Sequence, residues 1–237
     1  MIKIVNLTKK YGDKTVVDDI NLEILDGELF SLLGVNGAGK TTTIKMLTTL
    51  EKPTNGEIFI DGKDVFKDSS VKEHMNISPQ ETAVALNLSV EENLSFIAGV
   101  YDIKSKSEKI ESLITLFNLQ EYKKQKAKTL SGGCKRRLSI AMALINEPKI
   151  LFLDEPTLGL DVISRRELWS IISSLKGKTT IILTTHYMEE AENLSSRIGI
   201  LSKGKLKYVG TPSEIIKKAE KENFEEAFIK LATGEDL

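Results

Sequence analysis

Three short runs of mostly apolar residues predict buried β-strands. They occupy residues 29–33, 150–153 and 179–183, and each has the length of a strand rather than of a helix. Continuous apolar runs are typical of strands that are covered on both faces of a parallel sheet. Between the second and third runs, apolar side chains recur at helical spacing at Leu168, Ile171, Ile172 and Leu175. The order strand, helix, strand predicts a doubly wound α/β core.

Apart from the run at residues 29–33, the first sixty residues differ from these buried strands, because apolar and polar residues alternate there. Residues 2–5 and 57–60 have the composition of strands, and residues 20–24 place every second side chain on one apolar face. Asp61-Gly62 follows the last of these segments and is a hairpin signal. We therefore predict an antiparallel β region at the N-terminal end.

The stretch from Ser89 to Leu130 predicts an inserted α-helical subdomain. Ser89 with Glu92 fits a capping box, in which a serine hydroxyl and a glutamate carboxylate satisfy backbone N–H groups. Ser105 with Glu108 predicts a second one. Apolar residues at helical spacing follow both: Leu94, Ile97, Ala98 and Tyr101, and then Ile110, Leu113, Ile114 and Phe117.

The last part of the chain predicts a hairpin over residues 197–209 and then a helical tail. Thr211, Pro212 and Glu214 supply an N-cap, a first-turn proline and a capping carboxylate. Whether the tail packs on the domain or docks onto a partner stays open for its apolar positions, Phe224, Phe228 and Leu231.

Composition narrows the classes of function. The chain of 237 residues is 41% hydrophobic, and its 33 basic and 34 acidic residues leave a net charge of -1. Such a balance gives no field that attracts nucleic acid, so no nucleic-acid partner is expected. A single cysteine fits a reducing compartment. The N-terminus lacks a signal-peptide core, and no apolar run is long enough to span a bilayer, so we expect any membrane role to require a partner.

The stretch Gly34-Val35-Asn36-Gly37-Ala38-Gly39-Lys40-Thr41 fits the P-loop pattern G-x-x-x-x-G-K-[S/T]. It lies between the strand at residues 29–33 and a predicted helix at residues 41–50, which is the context that the motif requires. Glycines let backbone N–H groups approach phosphate oxygens, and the helix dipole favours an anion. Lys40 brings a positive charge to the phosphates, and the Thr41 hydroxyl is placed for Mg²⁺. We predict that this stretch and Thr42 bind a nucleotide.

Three further motifs carry groups that suit phosphate chemistry. Ser131-Gly132-Gly133 precedes a predicted helix and is either a second phosphate-binding device or an ordinary helix cap. Asp154-Glu155 follows one apolar strand, and His186 follows the next. Adjacent strand residues point to opposite sides, so we expect the two carboxylates to have separate tasks.

With these motifs the chain resembles the ATP-binding subunit of ABC transporters, from Tyr11 to about Gly210. Further matching motifs are a glutamine loop at Gln80 and a D-loop ending at Asp161. The resemblance implies a P-loop NTPase core over residues 1–88 and 131–211, with the antiparallel region included. Residues 89–130 would be the helical subdomain, and 212–237 a helical tail of the same single domain.

The resemblance also implies roles for individual residues. Thr41, Gln80 and Asp154 would hold Mg²⁺, with Gln80 also coupling to a membrane subunit. Glu155 would orient or deprotonate the attacking water, while Lys40 and His186 contact the γ-phosphate. Tyr11 would stack on adenine.

In this family the signature Ser131, Gly132 and Gly133, together with Asp161, contacts ATP held by a second subunit. The resemblance therefore implies a head-to-tail dimer with itself or a homologous subunit, an integral membrane permease as partner, and a peripheral location on the cytoplasmic side of the membrane. The branch most similar exports drugs and antibiotics. An importer subunit, or a soluble relative acting on DNA or ribosomes, is the alternative. Against the latter, no heptads are sustained and the chain has one such domain.

One position departs from the family pattern. Cys134 follows the signature where glutamine or methionine is usual. A thiol at a helix N-terminus next to Lys135, Arg136 and Arg137 suggests the hypothesis of a lowered pKa and high reactivity. A buried, inert thiol is the alternative.

Overall fold

Residues 1–234, which a computed structural model describes, form two β-sheets and eight α-helices joined by short turns. The last three residues of the predicted tail lie outside the described residues. In chain order the elements are β1 (Ile2–Tyr11), β2 (Lys14–Ile24), β3 (Leu29–Leu33), α1 (Lys40–Leu47), β4 (Asn55–Ile60), β5 (Lys63–Asp64), β6 (Met75–Ser78), α2 (Val90–Val100), α3 (Lys106–Leu116), α4 (Gly132–Ala143), β7 (Ile150–Asp154), α5 (Val162–Ser174), β8 (Thr180–Thr185), α6 (Met188–Leu194), β9 (Arg197–Ser202), β10 (Lys205–Gly210), α7 (Pro212–Ala219) and α8 (Phe224–Thr233).

The larger sheet has six strands in the order β10-β9-β3-β8-β7-β6. Strand pairs β3/β8, β3/β9, β7/β8 and β6/β7 are parallel, and β9/β10 is the antiparallel hairpin. Every residue of β3, β7 and β8 is buried, which explains their continuous apolar character. The α/β core with a mainly parallel sheet is confirmed. Parallel pairing brings the carboxyl ends of β3, β7 and β8 to one edge.

The predicted antiparallel β region is a four-stranded sheet in the order β2-β1-β4-β5. Its apolar face contributes Ile4, Leu22 and Ile58 to a core that it shares with α1 and the larger sheet. Phe30 and Phe152 of the larger sheet belong to the same core and are fully buried. The antiparallel sheet therefore covers the face on which α1 lies.

Helix α1 is shorter than predicted, ending at Leu47 rather than at Leu50. The Thr48 hydroxyl donates to the Ile44 carbonyl at 2.8 Å, and Thr49 has a left-handed φ of 59° that terminates the helix. Leu50 is 68% exposed. Its side chain lines a surface groove and does not extend the apolar face of α1.

Helices α2, α3 and α4 share a core around Phe117 that buries most of the predicted apolar positions. Tyr101 is the exception: it follows the last residue of α2 and is 43% exposed. The capping box at Ser89 is confirmed: its N–H donates to Glu92 at 2.7 Å, and the Glu92 N–H donates back at 3.2 Å. The second capping box was wrong. Ser105 has a ψ of 57° instead of the extended 172° of Ser89, so its hydroxyl makes no cap hydrogen bond.

Helices α7 and α8 lie against β9 and α6. The capping box at Thr211 is present, with Pro212 in the first turn. Phe224 and Phe228 are buried together with Leu33 and Ile198. These contacts place α8 behind the strand that leads into the P-loop. Among the described residues, no helix combines the length and the apolar character needed to cross a membrane.

Candidate functional site at the P-loop

The P-loop connects the end of β3 to the start of α1 and turns tightly over the sheet. Gly39 precedes α1 with a left-handed φ of 104°, and a Cβ there would lie 2.7 Å from the Val16 carbonyl oxygen. A Cβ on Gly34 would lie 2.4 Å from the Leu201 carbonyl oxygen. Both distances are below van der Waals contact, so only glycine fits at these two positions.

Lys40 lies at the centre of the site and is buried. Its Nζ donates to the Gly34 carbonyl at 2.7 Å and lies 3.1 Å from Glu155 Oε1. The second oxygen of Glu155 lies 2.5 Å from His186 Nδ1. Glu155 is turned toward both partners by a left-handed φ of 48°, because β7 ends one residue earlier. Three predicted catalytic side chains therefore form one chain of contacts.

The carboxylates of Asp154 and Glu155 are separated, as expected, but strand alternation is not the cause. Glu155 is no longer part of β7, and its φ rather than the pleat aims it away from Asp154. Asp154 lies on the other side: its Oδ1 accepts a hydrogen bond from the Thr41 hydroxyl at 3.3 Å and another from Thr184. Thr184 also accepts from the Glu155 N–H at 3.0 Å.

A cavity of about 370 Å³ opens above these residues. Oxygen donors of Thr41, Gln80 and nearby Asp154 give it a hydroxyl, an amide and a carboxylate, which are the hard ligands that Mg²⁺ prefers. Among residues 1–234, no cluster of three or more His, Cys, Asp or Glu suits a metal. A Mg²⁺ site with one protein carboxylate does not need such a cluster, so the donor set fits. The lining is Val16, Asn36, Gly37, Gly39, Lys40, Thr41, Thr42, Gln80, Glu155, Leu158 and His186.

Tyr11 lies beside this cavity at the end of β1, 48% exposed. Its hydroxyl donates to Glu51, and that hydrogen bond raises the pKa of Tyr11 while lowering that of Glu51. A hydrogen bond with the Thr42 hydroxyl has the opposite effect and lowers the pKa of Tyr11. Lys9 pairs with Glu51 at 2.9 Å and lies 5.0 Å from the ring centroid. The ring is thus held in place, with an exposed face.

The signature segment begins α4 at a distance from this cavity. Ser131 and Gly132 are exposed, and the Ser131 hydroxyl accepts from the Cys134 N–H at 3.2 Å. Gly133 is buried, and a Cβ on it would lie 2.9 Å from the Ser164 hydroxyl of α5. Asp161 caps α5, accepting from the Ser164 N–H at 2.9 Å, and this hydrogen bond lowers the pKa of Asp161. The signature and the D-loop are therefore neighbours on one surface.

Cys134 is a buried thiol rather than an exposed one. It is 4% exposed and lies 3.3 Å from Arg137, whereas the Arg136 guanidinium donates to the carbonyls of Asp154 and Pro156. Burial limits access of reagents to the sulfur. Its surroundings match the inert alternative.

Arg136 is the principal residue that the motifs did not reveal. It is 4% exposed and donates to four backbone carbonyls: Pro156 at 2.8 Å, Asp154 at 2.7 Å, Pro79, and Gln80 at 3.4 Å. Burial lowers the pKa of Arg136 to about 10, so it stays charged at neutral pH. It joins the glutamine loop around Gln80 to the end of β7. Its place on the buried face of α4 was the available sequence signal.

The chain is similar over most of its length to characterised proteins. Residues 17–158 match the family model described as ABC transporter. The probable multidrug ABC transporter ATP-binding protein YbhF of Escherichia coli (strain K12) is 42% identical over 243 residues, covering 98% of this chain and 41% of that protein. The human phospholipid-transporting ATPase ABCA3 is 40% identical over 217 residues, covering 89% of this chain and 13% of that protein. The chain thus spans less than half the length of either relative.

Solved structures agree with the sequence comparisons. An ATP-binding subunit of an ABC transporter has a TM-score of 0.86 at 27% identity, with 98% of this chain and 99% of that chain covered. A dimeric ATP-binding cassette in a post-hydrolysis state, bound to ADP and Pi, has a TM-score of 0.80 at 26% identity over 89% of this chain and 98% of that chain. These matches confirm the predicted fold.

Proposed function

Because this chain belongs to the ABC transporter family and is an ATP-binding cassette of it, we propose that it hydrolyses ATP to power the export of small amphipathic compounds. The arrangement of Lys40, Glu155 and His186 at the P-loop carries this proposal. The names of its relatives, which specify multidrug and phospholipid transport, support an amphipathic cargo.

In the proposed reaction, the P-loop N–H groups and Lys40 bind the phosphates of ATP. Glu155 orients and deprotonates the attacking water, and His186 holds the Glu155 carboxylate through its 2.5 Å contact. Thr41, Gln80 and Asp154 would hold Mg²⁺, which when bound neutralises charge that develops on the phosphate oxygens. Tyr11 offers its exposed face to the adenine.

The signature of one copy would close on the ATP of a second copy. None of the signature residues lines the P-loop cavity among the described residues. Nothing inside the chain requires glycine at position 132, because a Cβ there would meet no atom within 4 Å. Glycine in a helix costs about 1 kcal/mol relative to alanine. A close approach by a phosphate from outside the chain accounts for its presence in the first turn of α4, where N–H groups point outward.

A permease would dock in the groove between the core and the helical subdomain. This groove has a volume of about 320 Å³ and is lined mainly by apolar side chains, including Leu50, Ile97 and Met142. Pro79, next to Gln80, forms one edge of it, and Ser139 of α4 forms another. An apolar helix of the permease seated here would sense both the metal ligand and the signature helix. The chain would then be peripheral, on the cytoplasmic side of the membrane.

ATP turnover by the purified chain tests the catalytic assignment. Glu155→Gln keeps the shape of the side chain and removes the base, so kcat should fall at least about a hundredfold. Glu189→Gln, on the exposed side of α6, is the matched control and should retain wild-type turnover. Turnover by Glu155→Gln equal to wild type would remove Glu155 from the reaction.

Purification of the tagged chain from detergent-solubilised membranes tests the partner. We expect a polytopic membrane protein without its own P-loop to copurify. Ribosomal or DNA-associated proteins in its place would contradict the exporter proposal.

A further inference from the structure

Glu190 is a buried carboxyl group that the proposed reaction does not use. It lies on α6, four residues after His186, and it has no exposed surface. Its Oε1 accepts a hydrogen bond from the indole N–H of Trp169 on α5 at 3.0 Å. Burial raises the pKa of Glu190, and the negative charge of Glu155 raises it further, while the hydroxyls of Thr185 and Thr157 act against the shift. Burial without water favours the neutral form of a carboxyl group over the charged one.

The second oxygen of Glu190 has a complementary neighbour. In the part of the chain that the structure describes, two buried side-chain polar atoms have no hydrogen-bond partner, namely Glu190 Oε2 and Thr157 Oγ1. Thr157 is close enough to act on the Glu190 carboxyl. A hydrogen bond between Glu190 Oε2 and Thr157 Oγ1 would satisfy both atoms. Buried polar groups seldom lack a partner, because each one costs about 1–3 kcal/mol when unpaired.

These contacts connect three segments of the site. Thr157 lies two residues after Glu155, Trp169 lies on the helix that Asp161 caps, and α6 follows His186 directly. We propose that Glu190 is a positioning residue that holds these segments together through Trp169 and Thr157, so that His186 and Glu155 remain in contact. The inference rests on the proposed ATPase activity for its kinetic consequence. Its structural part does not depend on that activity. It consists of the hydrogen bonds that join Glu190 to Trp169 and Thr157, which we call the tether.

Two variants separate the tether from a general loss of packing. Glu190→Gln replaces the carboxyl group with an amide of the same shape, which can accept from Trp169 and donate to Thr157. It should therefore keep wild-type kcat. Thr157→Val removes one hydroxyl at nearly constant volume, and kcat should fall about tenfold while KM for ATP stays within about twofold, since one buried hydrogen bond is lost. Glu190→Ala should lower kcat at least as much. Glu189→Ala, exposed on the same helix, is the matched control.

A double-mutant cycle measures the tether without any turnover. Thr157→Val and Glu190→Ala should be non-additive in unfolding, with a coupling that changes the unfolding equilibrium constant about tenfold. Additivity would overturn the proposal, as would wild-type kcat in Thr157→Val or loss of activity in Glu190→Gln. If Glu190→Ala does not fold, Glu190→Met, which keeps most of the side-chain volume but cannot accept from Trp169 or bond to Thr157, replaces it in the cycle. Coupling in a chain without turnover would refute the proposed function and leave the tether standing.

Discussion

Replacing Arg136 with methionine tests the argument that one buried guanidinium joins the glutamine loop to β7. Methionine keeps the length and most of the volume of the aliphatic stem, so packing changes little. It removes the donors that serve the carbonyl oxygens of Pro79, Asp154 and Pro156. We expect a lower free energy of unfolding, because these three acceptors, the closest of the four that Arg136 serves, lose their partner.

The size of this effect follows from two opposing terms. An orphaned buried acceptor costs about 2 kcal/mol, so three cost about 6 kcal/mol. Removing the guanidinium also removes its desolvation, and the lowering of the Arg136 pKa from 12.5 to about 10 corresponds to about 3 kcal/mol. The net loss of stability is therefore about 3 kcal/mol.

The adjacent Arg137 provides a matched control in the same helix. It forms an ion pair with Glu167 at 3.1 Å, and the Glu167 side chain is 44% exposed. Half-exposed pairs contribute less than about 1 kcal/mol. Urea unfolding of Arg136→Met and Arg137→Met measures both free energies. Equal losses in the two variants, or a loss below about 1 kcal/mol for Arg136→Met, would refute the reasoning.

Three further predictions concern other parts of the site. Thr184→Val removes the hydroxyl that donates to Asp154, so kcat in an ATPase assay should fall about tenfold, and an unchanged kcat would show that this contact is dispensable. Glu51→Ala removes the acceptor that holds the Tyr11 hydroxyl, so KM for ATP should rise about threefold at constant kcat. Tyr11→Ala should raise KM about tenfold, because stacking on the adenine is lost. A change in kcat instead would contradict an adenine-binding role for Tyr11. Burial raises the folded-state pKa of Glu190 above its ordinary value of 4.5, so the folded chain keeps a proton that the unfolded chain releases, and stability falls as pH rises through that window. Glu190→Gln should therefore gain stability over wild type as pH rises above 4.5 in thermal unfolding, and a constant difference would contradict a raised pKa.

Local patterns predicted the framework of the site well. The strands β3, β7 and β8 are buried on both faces, and this leaves an unbroken apolar run in the sequence. The spacing of the P-loop glycines identified the motif, although the carbonyl oxygens that require Gly34 and Gly39, those of Leu201 and Val16, belong to other segments. Asp154 ends β7 and His186 directly follows β8, so the parallel order of those strands was enough to place both at one edge of the sheet.

Those local patterns could not predict contacts between segments that are far apart in the sequence. Arg136 looked like one cation in a basic turn, and only the folded chain shows the carbonyls from two other segments around it. Glu190 was not identified from the sequence, because sequence spacing does not show that Trp169 of α5 lies against it. Ser105 failed as a cap because the pattern fixes residue types and not backbone angles.

ATP-driven closure of two copies is the central claim, and the oligomeric state of Glu155→Gln measures it most directly. The added variant Gly132→Asp places a negative charge at the first turn of α4, where a Cβ meets no atom of the same chain and an acidic side chain suits the helix dipole. We predict that ATP with Mg²⁺ converts Glu155→Gln from monomer to dimer in analytical ultracentrifugation. We also predict that Glu155→Gln/Gly132→Asp still binds ATP but stays monomeric. Dimerisation of both variants, or of neither with ATP bound, would contradict the account.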